Sequence, residues 1–205
     1  MKRIAIVMAL ALLLTLAVAA PALGYQAHKV PEPGEAYIFP MSEFYGANIW
    51  WEVDADDNYI EHLADVTPIP ADYPIYICFG WVSPIRGTVV TLPRTDLYAF
   101  SLLDAAGDEV WSISATAAKA KWSVVYKSDD APAFNKESAT VWARDWYQQV
   151  DLPAGTYTGT TMETVRRMIT DSSFAGLEWS KHAQQRPLKV APGHYVYTFA
   201  FTVAP

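Results

Sequence analysis

HYVYTFAFTV, residues 194–203, sets the fold class. Its odd positions Tyr195, Tyr197, Phe199, Phe201 and Val203 are all aromatic or apolar, and the even positions are mostly small or polar. Strand side chains point alternately to the two faces of a sheet, so a period of two marks a half-buried β-strand. Working backwards, Leu97 to Leu103 and Glu109 to Ser114 are two β-rich runs about the polar turn Asp104-Ala105-Ala106-Gly107-Asp108, which predicts a hairpin. Threonines at 156, 158, 160, 161, 164 and 170 favour strand across the intervening region. Met162, Val165 and Ile169 fall at helical spacing within it, and strand is the expected outcome.

Two joints repeat one device. Leu152-Pro153-Ala154-Gly155-Thr156-Tyr157 and Val190-Ala191-Pro192-Gly193-His194-Tyr195 each place a tyrosine two residues after a proline and glycine turn. This pattern resembles the tyrosine corner of immunoglobulin-like sandwiches, whose hydroxyl bonds back to the upstream backbone. Each glycine is expected to permit a positive φ. The predicted architecture is all-β, an immunoglobulin-like β-sandwich over residues 74–205 with an N-terminal extension. That extension, residues 25–73, is aromatic and acidic, and the proline cluster Pro68, Pro70 and Pro74 sets it off from the sandwich.

Residues 1–24 read as a signal peptide. Lys2 and Arg3 precede the apolar run Ile4 to Ala20, and Ala22 with Gly24 places the cut before Tyr25; Ala17 with Ala19 is a second register. The competing reading is an uncleaved anchor helix, since the run approaches bilayer length. Cleavage predicts an exported protein that is extracellular, wall-associated or periplasmic, with no membrane anchor. Cys78 is the single cysteine, so no intramolecular disulfide exists, and its strand-like surroundings predict burial. Loss of two basic residues with the signal takes the formal charge from −7 to −9. That balance makes nucleic acid and anionic membrane surfaces poor partners.

DADDNYIEHLAD, residues 54–65, carries two readings. Asp54, Asp56, Asn58 and Asp65 stand at positions 1, 3, 5 and 12 of a calcium-type loop, although Tyr59 replaces the glycine of position 6. Alternatively Asn58 and Glu61 form a capping box that starts a short helix over residues 59–64, or the stretch is an acidic turn. Calcium is the one cofactor that the sequence suggests. His28, His62, His182 and His194 are scattered, and no nucleophile elbow, phosphate loop or dinucleotide motif occurs.

Eight tryptophans, twelve tyrosines and eight phenylalanines shift attention to binding. A strand through Thr140 to Tyr147 puts Trp142, Arg144 and Trp146 on one face, where indole and guanidinium stack. Facing outward, they form a platform for a sugar ring or a peptide side chain. Facing inward, the tryptophans fill the space between two sheets and Arg144 caps the edge of the core.

Tyr98-Ala99-Phe100-Ser101-Leu102-Leu103-Asp104, Gly107, Val110-Trp111-Ser112-Ile113-Ser114, Trp146 and Pro153-Ala154-Gly155-Thr156-Tyr157 together resemble the BsuPI family over residues 88–160. These are small β-sandwich domains first named for a proteinase inhibitor. The expected function is a non-enzymatic module that contacts an extracytoplasmic protein or glycan. The alternatives are an exported proteinase inhibitor acting through a loop at 128–138, which the resemblance implies, and a hydrolase built on paired carboxylates.

Overall fold

The computed structural model describes residues 27, 29–40, 48–56, 58–83, 86–119, 121–128, 141–171 and 188–205. The N-terminal part supplies β1 (Ala36–Ile38), β2 (Ile49–Val53) and β3 (Tyr59–Leu63), followed by β4 (Ile75–Ser83). Then come α1 (Arg86–Thr95), β5 (Asp96–Leu103), β6 (Glu109–Ile113), α2 (Ala115–Lys119), β7 (Tyr126–Ser128) and β8 (Val141–Val150). The chain closes with β9 (Gly155–Val165), β10 (Ile169–Asp171), β11 (Leu188–Val190) and β12 (Gly193–Val203). Two sheets form an all-β sandwich: a six-stranded one in the order β3-β2-β1-β4-β8-β7 and a four-stranded one in the order β12-β9-β5-β6. β10 and β11 pair separately.

The alternating stretch behaves as its period requires. β12 pairs with β9 from Gly193↔Val165 to Val203↔Gly155, with Phe199, Phe201 and Val203 buried and His194, Val196 and Thr198 exposed. Met162 to Val165 belong to β9, so the ambiguous region is strand up to Val165. The hairpin of β5 and β6 is present, closed by Gly107 at φ 87°. Rings cross between the sheets, with Phe79 4.0 Å from Tyr98 and Phe100 5.1 Å from Trp146. Each such side chain contributes about 1.5–3 kcal/mol when fully buried, so this ring cluster dominates the attraction between the layers.

Both tyrosine corners form. Tyr157 Oη donates to Pro153 O at 2.5 Å, and Tyr195 Oη donates to Ala191 O at 2.9 Å. The reason for glycine differs from the one expected. Among the described residues only Gly34 and Gly107 have positive φ. Gly193 instead leaves room for the tyrosine ring two residues on, where a Cβ would lie 3.2 Å from Tyr195 Cζ, whereas a Cβ at Gly155 would meet Tyr157 only at ordinary contact, 3.5 Å from its Oη.

Residues 36–63 correct the expected division of the chain. They are not an extension lying on a finished sandwich; β1 pairs with β4 in parallel, and β2 and β3 extend the same sheet. The proline cluster is a staple, since Ile69 N donates to Thr202 O and Ala204 N donates to Ile69 O, both at 2.8 Å. The capped helix at 59–64 is also corrected. Asn58 donates from its N–H and its amide to the Asp54 carboxylate, which closes a hairpin and starts β3 against β2. Cross-strand pairing outweighs the local capping signal. Helix α1 was not expected; its buried Val89 and Leu92 pack into the core.

Candidate functional site

Strand β8 decides what each face of the six-stranded sheet offers. Trp142, Arg144 and Trp146 do share a face, but it is the inner one, so the outward platform is corrected. Trp146 is 2% exposed and stacks on Phe100; Arg144, also 2% exposed, donates from Nε to Ser123 O at 2.6 Å and from Nη1 to Val90 O at 3.3 Å. The buried guanidinium thereby ties α1 and the Ser123 segment to β8. Trp142 is half-buried with Arg86 and Lys127 against its ring, at 5.1 Å and 5.6 Å.

Because period two is strict, burying the even residues turns Ala143, Asp145, Tyr147 and Gln149 to the other face. Register carries that face across the sheet: Tyr147 stands opposite Cys78, Asp145 opposite Gly80, Tyr76 opposite Tyr37, and Tyr37 opposite Trp51. The result is an aromatic ladder. Tyr37 stacks on Trp51 at 4.3 Å and on Tyr76 at 5.4 Å, meets Tyr147 edge-on at 5.8 Å, and Trp51 meets Tyr59 edge-on at 5.2 Å. Where the ladder meets Gly80, a groove of about 220 Å³ opens between Phe39, Trp51, Cys78, Tyr126, Asp145 and Tyr147.

The groove is apolar at its walls and acidic at one point. Tyr126 Oη donates to Asp145 Oδ2 at 3.0 Å, and the Asp145 backbone is clamped by Ser123, whose Oγ accepts its N–H at 3.0 Å. Burial pushes the Tyr147 hydroxyl well above the ordinary tyrosine range, and the nearby Cys78 and Asp145 add to this. Burial raises the Cys78 thiol too, and its Sγ donates to Ile38 O at 3.3 Å, so it is a protonated part of the floor and not a nucleophile. The sequence carries a trace of this face in Trp50-Trp51 and Trp146-Tyr147. Adjacent aromatics put one ring into the core and one onto the opposite surface.

A second polar cluster lies inside the sandwich. Asp96 and Glu163 are 0% and 2% exposed; Tyr98 Oη donates to Asp96, lies 3.1 Å from Glu163 Oε1 and accepts from Trp81 Nε1 at 3.1 Å. Tyr197 Oη donates to Glu163 Oε2 at 3.0 Å. One phenol proton serves one carboxyl, so the contacts close when Glu163 keeps its own proton. Burial drives it that way, raising its pKa against the opposing effect of its hydrogen-bond contacts with Asp96, Tyr197 and Tyr98. A pair in direct contact leaves no space for a glycosidic bond, which needs carboxyls about 5 Å or more apart.

The calcium-type spacing resolves into a turn. Asp54 Oδ1 accepts from Asp56 N at 2.8 Å and Asn58 N at 2.9 Å, and Asp54 N donates to Asn58 O. Asp104 does the same with Ala106 N, Asp108 N and Asp108 O at the β5–β6 hairpin. Asp65 lies beyond the far end of β3, about 17 Å of strand away, so the four proposed ligands do not meet. Among the described residues no three potential ligands of His, Cys, Asp or Glu type cluster, and no helix is long and apolar enough to cross a membrane. Residues 1–24, His28, Asp57, His182 and the 129–138 loop lie outside the described residues.

No family model matches the chain, no curated protein is similar to it, and no solved structure matches its fold.

Proposed function

We propose that this protein is an exported, non-enzymatic binding module of immunoglobulin-like type that contacts a protein or glycan outside the cytoplasm through the Gly80 groove. The observation that carries the reading is the aromatic ladder on the face turned away from the core, interrupted by a groove with an anchored carboxylate. Aromatic walls with a few placed polar groups are the usual make-up of a recognition site. The signal-like residues 1–24 support export, and the paired tyrosine corners support the immunoglobulin-like type.

The test is amide shift mapping of the processed protein against short glycans and peptides, repeated on Gly80→Leu. A Cβ at Gly80 meets only ordinary contacts of 3.7–4.0 Å, so this substitution fills the groove without breaking the strand. Saturable shifts at Gly80, Asp145 and Tyr147 that disappear when the groove is filled are expected. Shifts that survive the filling, or none with any probe, overturn the proposal.

A further inference from the structure

β3 stands last in the six-stranded sheet, with a partner on one side only. Asp54 N donates to Asn58 O and Ala64 N donates to Asn48 O, both at 3.0 Å, and the β2–β3 register runs between these bonds. Antiparallel ladders bond at every second residue, so Ile60 and His62 turn their backbone groups to β2 and Tyr59, Glu61 and Leu63 turn theirs away. Leu63 O is taken by Val66 N and Thr67 N, which leaves the N–H and C=O of Glu61 and the N–H of Leu63 on the outer edge. The side chains there suit a partner too. Tyr59 and Leu63 are 62% and 55% exposed, and Glu61 stands between them on the same face of the strand. Its neighbours crowd the Glu61 carboxyl and hold it above the usual carboxylate range, with no cation among the described residues to offset them.

We propose that the edge of β3 takes an added antiparallel strand from a basic partner polypeptide, with a lysine or arginine opposite Glu61 and apolar side chains two positions to either side against Tyr59 and Leu63. This surface is separate from the Gly80 groove and does not depend on it. A residue directly opposite Glu61 exchanges both backbone bonds with it, and an opposite charge there adds to the pairing. Residues 52–65 carry six acids and no lysine or arginine, which favours a basic strand over an acidic one. A charge on an edge strand repels its like and admits a strand that neutralises it. The same charges disfavour a second copy of the chain. Pairing two β3 strands over their whole length sets Glu61 against Glu61 and brings the Asp56 turn toward Asp65, and like charges directly opposite are destabilising.

Three end-blocked peptides decide it, followed by amide shifts on the protein as the expressing cell processes it: TVTKTVT, TVTETVT, and TVTKTVT with its lysine N-methylated, which removes the N–H that would meet Glu61 O. The unmethylated lysine peptide alone should bind, at about millimolar Kd, with saturable shifts at Glu61 and Leu63. Glu61→Gln should weaken it about twofold to fivefold, and Glu61→Lys, at an exposed position, should transfer binding to the glutamate peptide. Equal binding of the glutamate peptide by the unmodified protein overturns the charge assignment, and equal binding of the N-methylated peptide overturns strand addition. Shifts at these amides that grow with protein concentration before any peptide is added mean a second copy and overturn the proposal. So does the absence of shifts with the lysine peptide at about 10 mM. Shifts confined to Gly80 and Asp145 belong to the groove and refute the edge.

Discussion

Two strand glycines are predicted to respond oppositely to alanine, because one faces the core and the other faces the groove. At Gly159 on β9 a Cβ would sit 2.1 Å from Phe199 Cζ and 2.4 Å and 2.5 Å from its Cε atoms. Ordinary contact begins near 3.4 Å, so the ring must move by more than an ångström. Phe199 is 2% exposed and stacks on Phe201, so it cannot leave cheaply. Overpacking costs about 1–3 kcal/mol, and losing the ring's packing altogether costs about 3–5. Alanine recovers about 0.5–1 kcal/mol of strand propensity. The net expectation for Gly159→Ala is a loss of about 2–4 kcal/mol. Gly80→Ala gains the same propensity term with no clash, so it should be neutral or up to about 1 kcal/mol stabilising. Urea unfolding with unchanged m-values measures both. Combining Gly159→Ala with Phe199→Leu should recover part of the loss, since the pair shares one space. A Gly159→Ala protein within about 0.5 kcal/mol of wild type would refute this placement of Phe199.

Three further outcomes follow from the same geometry. Burial raises the pKa of Glu163, so its contribution to stability is fully present below its unfolded pKa and is lost as pH rises through the folded value. Relative to Glu163→Gln, which cannot titrate, wild-type stability should therefore fall with rising pH and then level off, read from melting temperatures across pH 4–9; a flat difference refutes the shared proton. Tyr157→Phe should cost about 1 kcal/mol in urea unfolding through loss of the bond to Pro153 O, and no loss would mean that the corner contributes nothing. Millimolar calcium should leave the melting temperature unchanged in both wild type and Asp54→Ala, while the substitution lowers it in both by opening the hairpin turn. A calcium-dependent rise that Asp54→Ala abolishes would restore the metal reading.

What was legible in the sequence had a strong local cause. The alternation of residues 195–203, the Gly107 turn and the Gly-x-Tyr corners each depend on a few adjacent residues, and the structure contains all of them. Helix signals at Asn58 and Glu61 misled because β2 offers that segment a full row of backbone partners. The face of β8 was illegible for a different reason. With Trp142, Arg144 and Trp146 on one parity and Asp145 and Tyr147 on the other, both faces look occupied, and only the position of the four-stranded sheet decides which lies inside. The inward reading, with Trp146 between the sheets and Arg144 at the core, is the one that the structure bears out. The buried pair of Asp96 and Glu163 was hidden by a separation that only β5–β9 register closes.

The central claim is that recognition happens on the Asp145 face of the sheet and not on the Trp146 face. Amide and indole shift mapping with the panel of short glycans and peptides tests it most directly. The account predicts saturable shifts confined to Gly80, Asp145, Tyr147 and the Trp51 indole, all on the groove. Shifts centred on Trp142 and Arg86, with the groove residues silent, would contradict it.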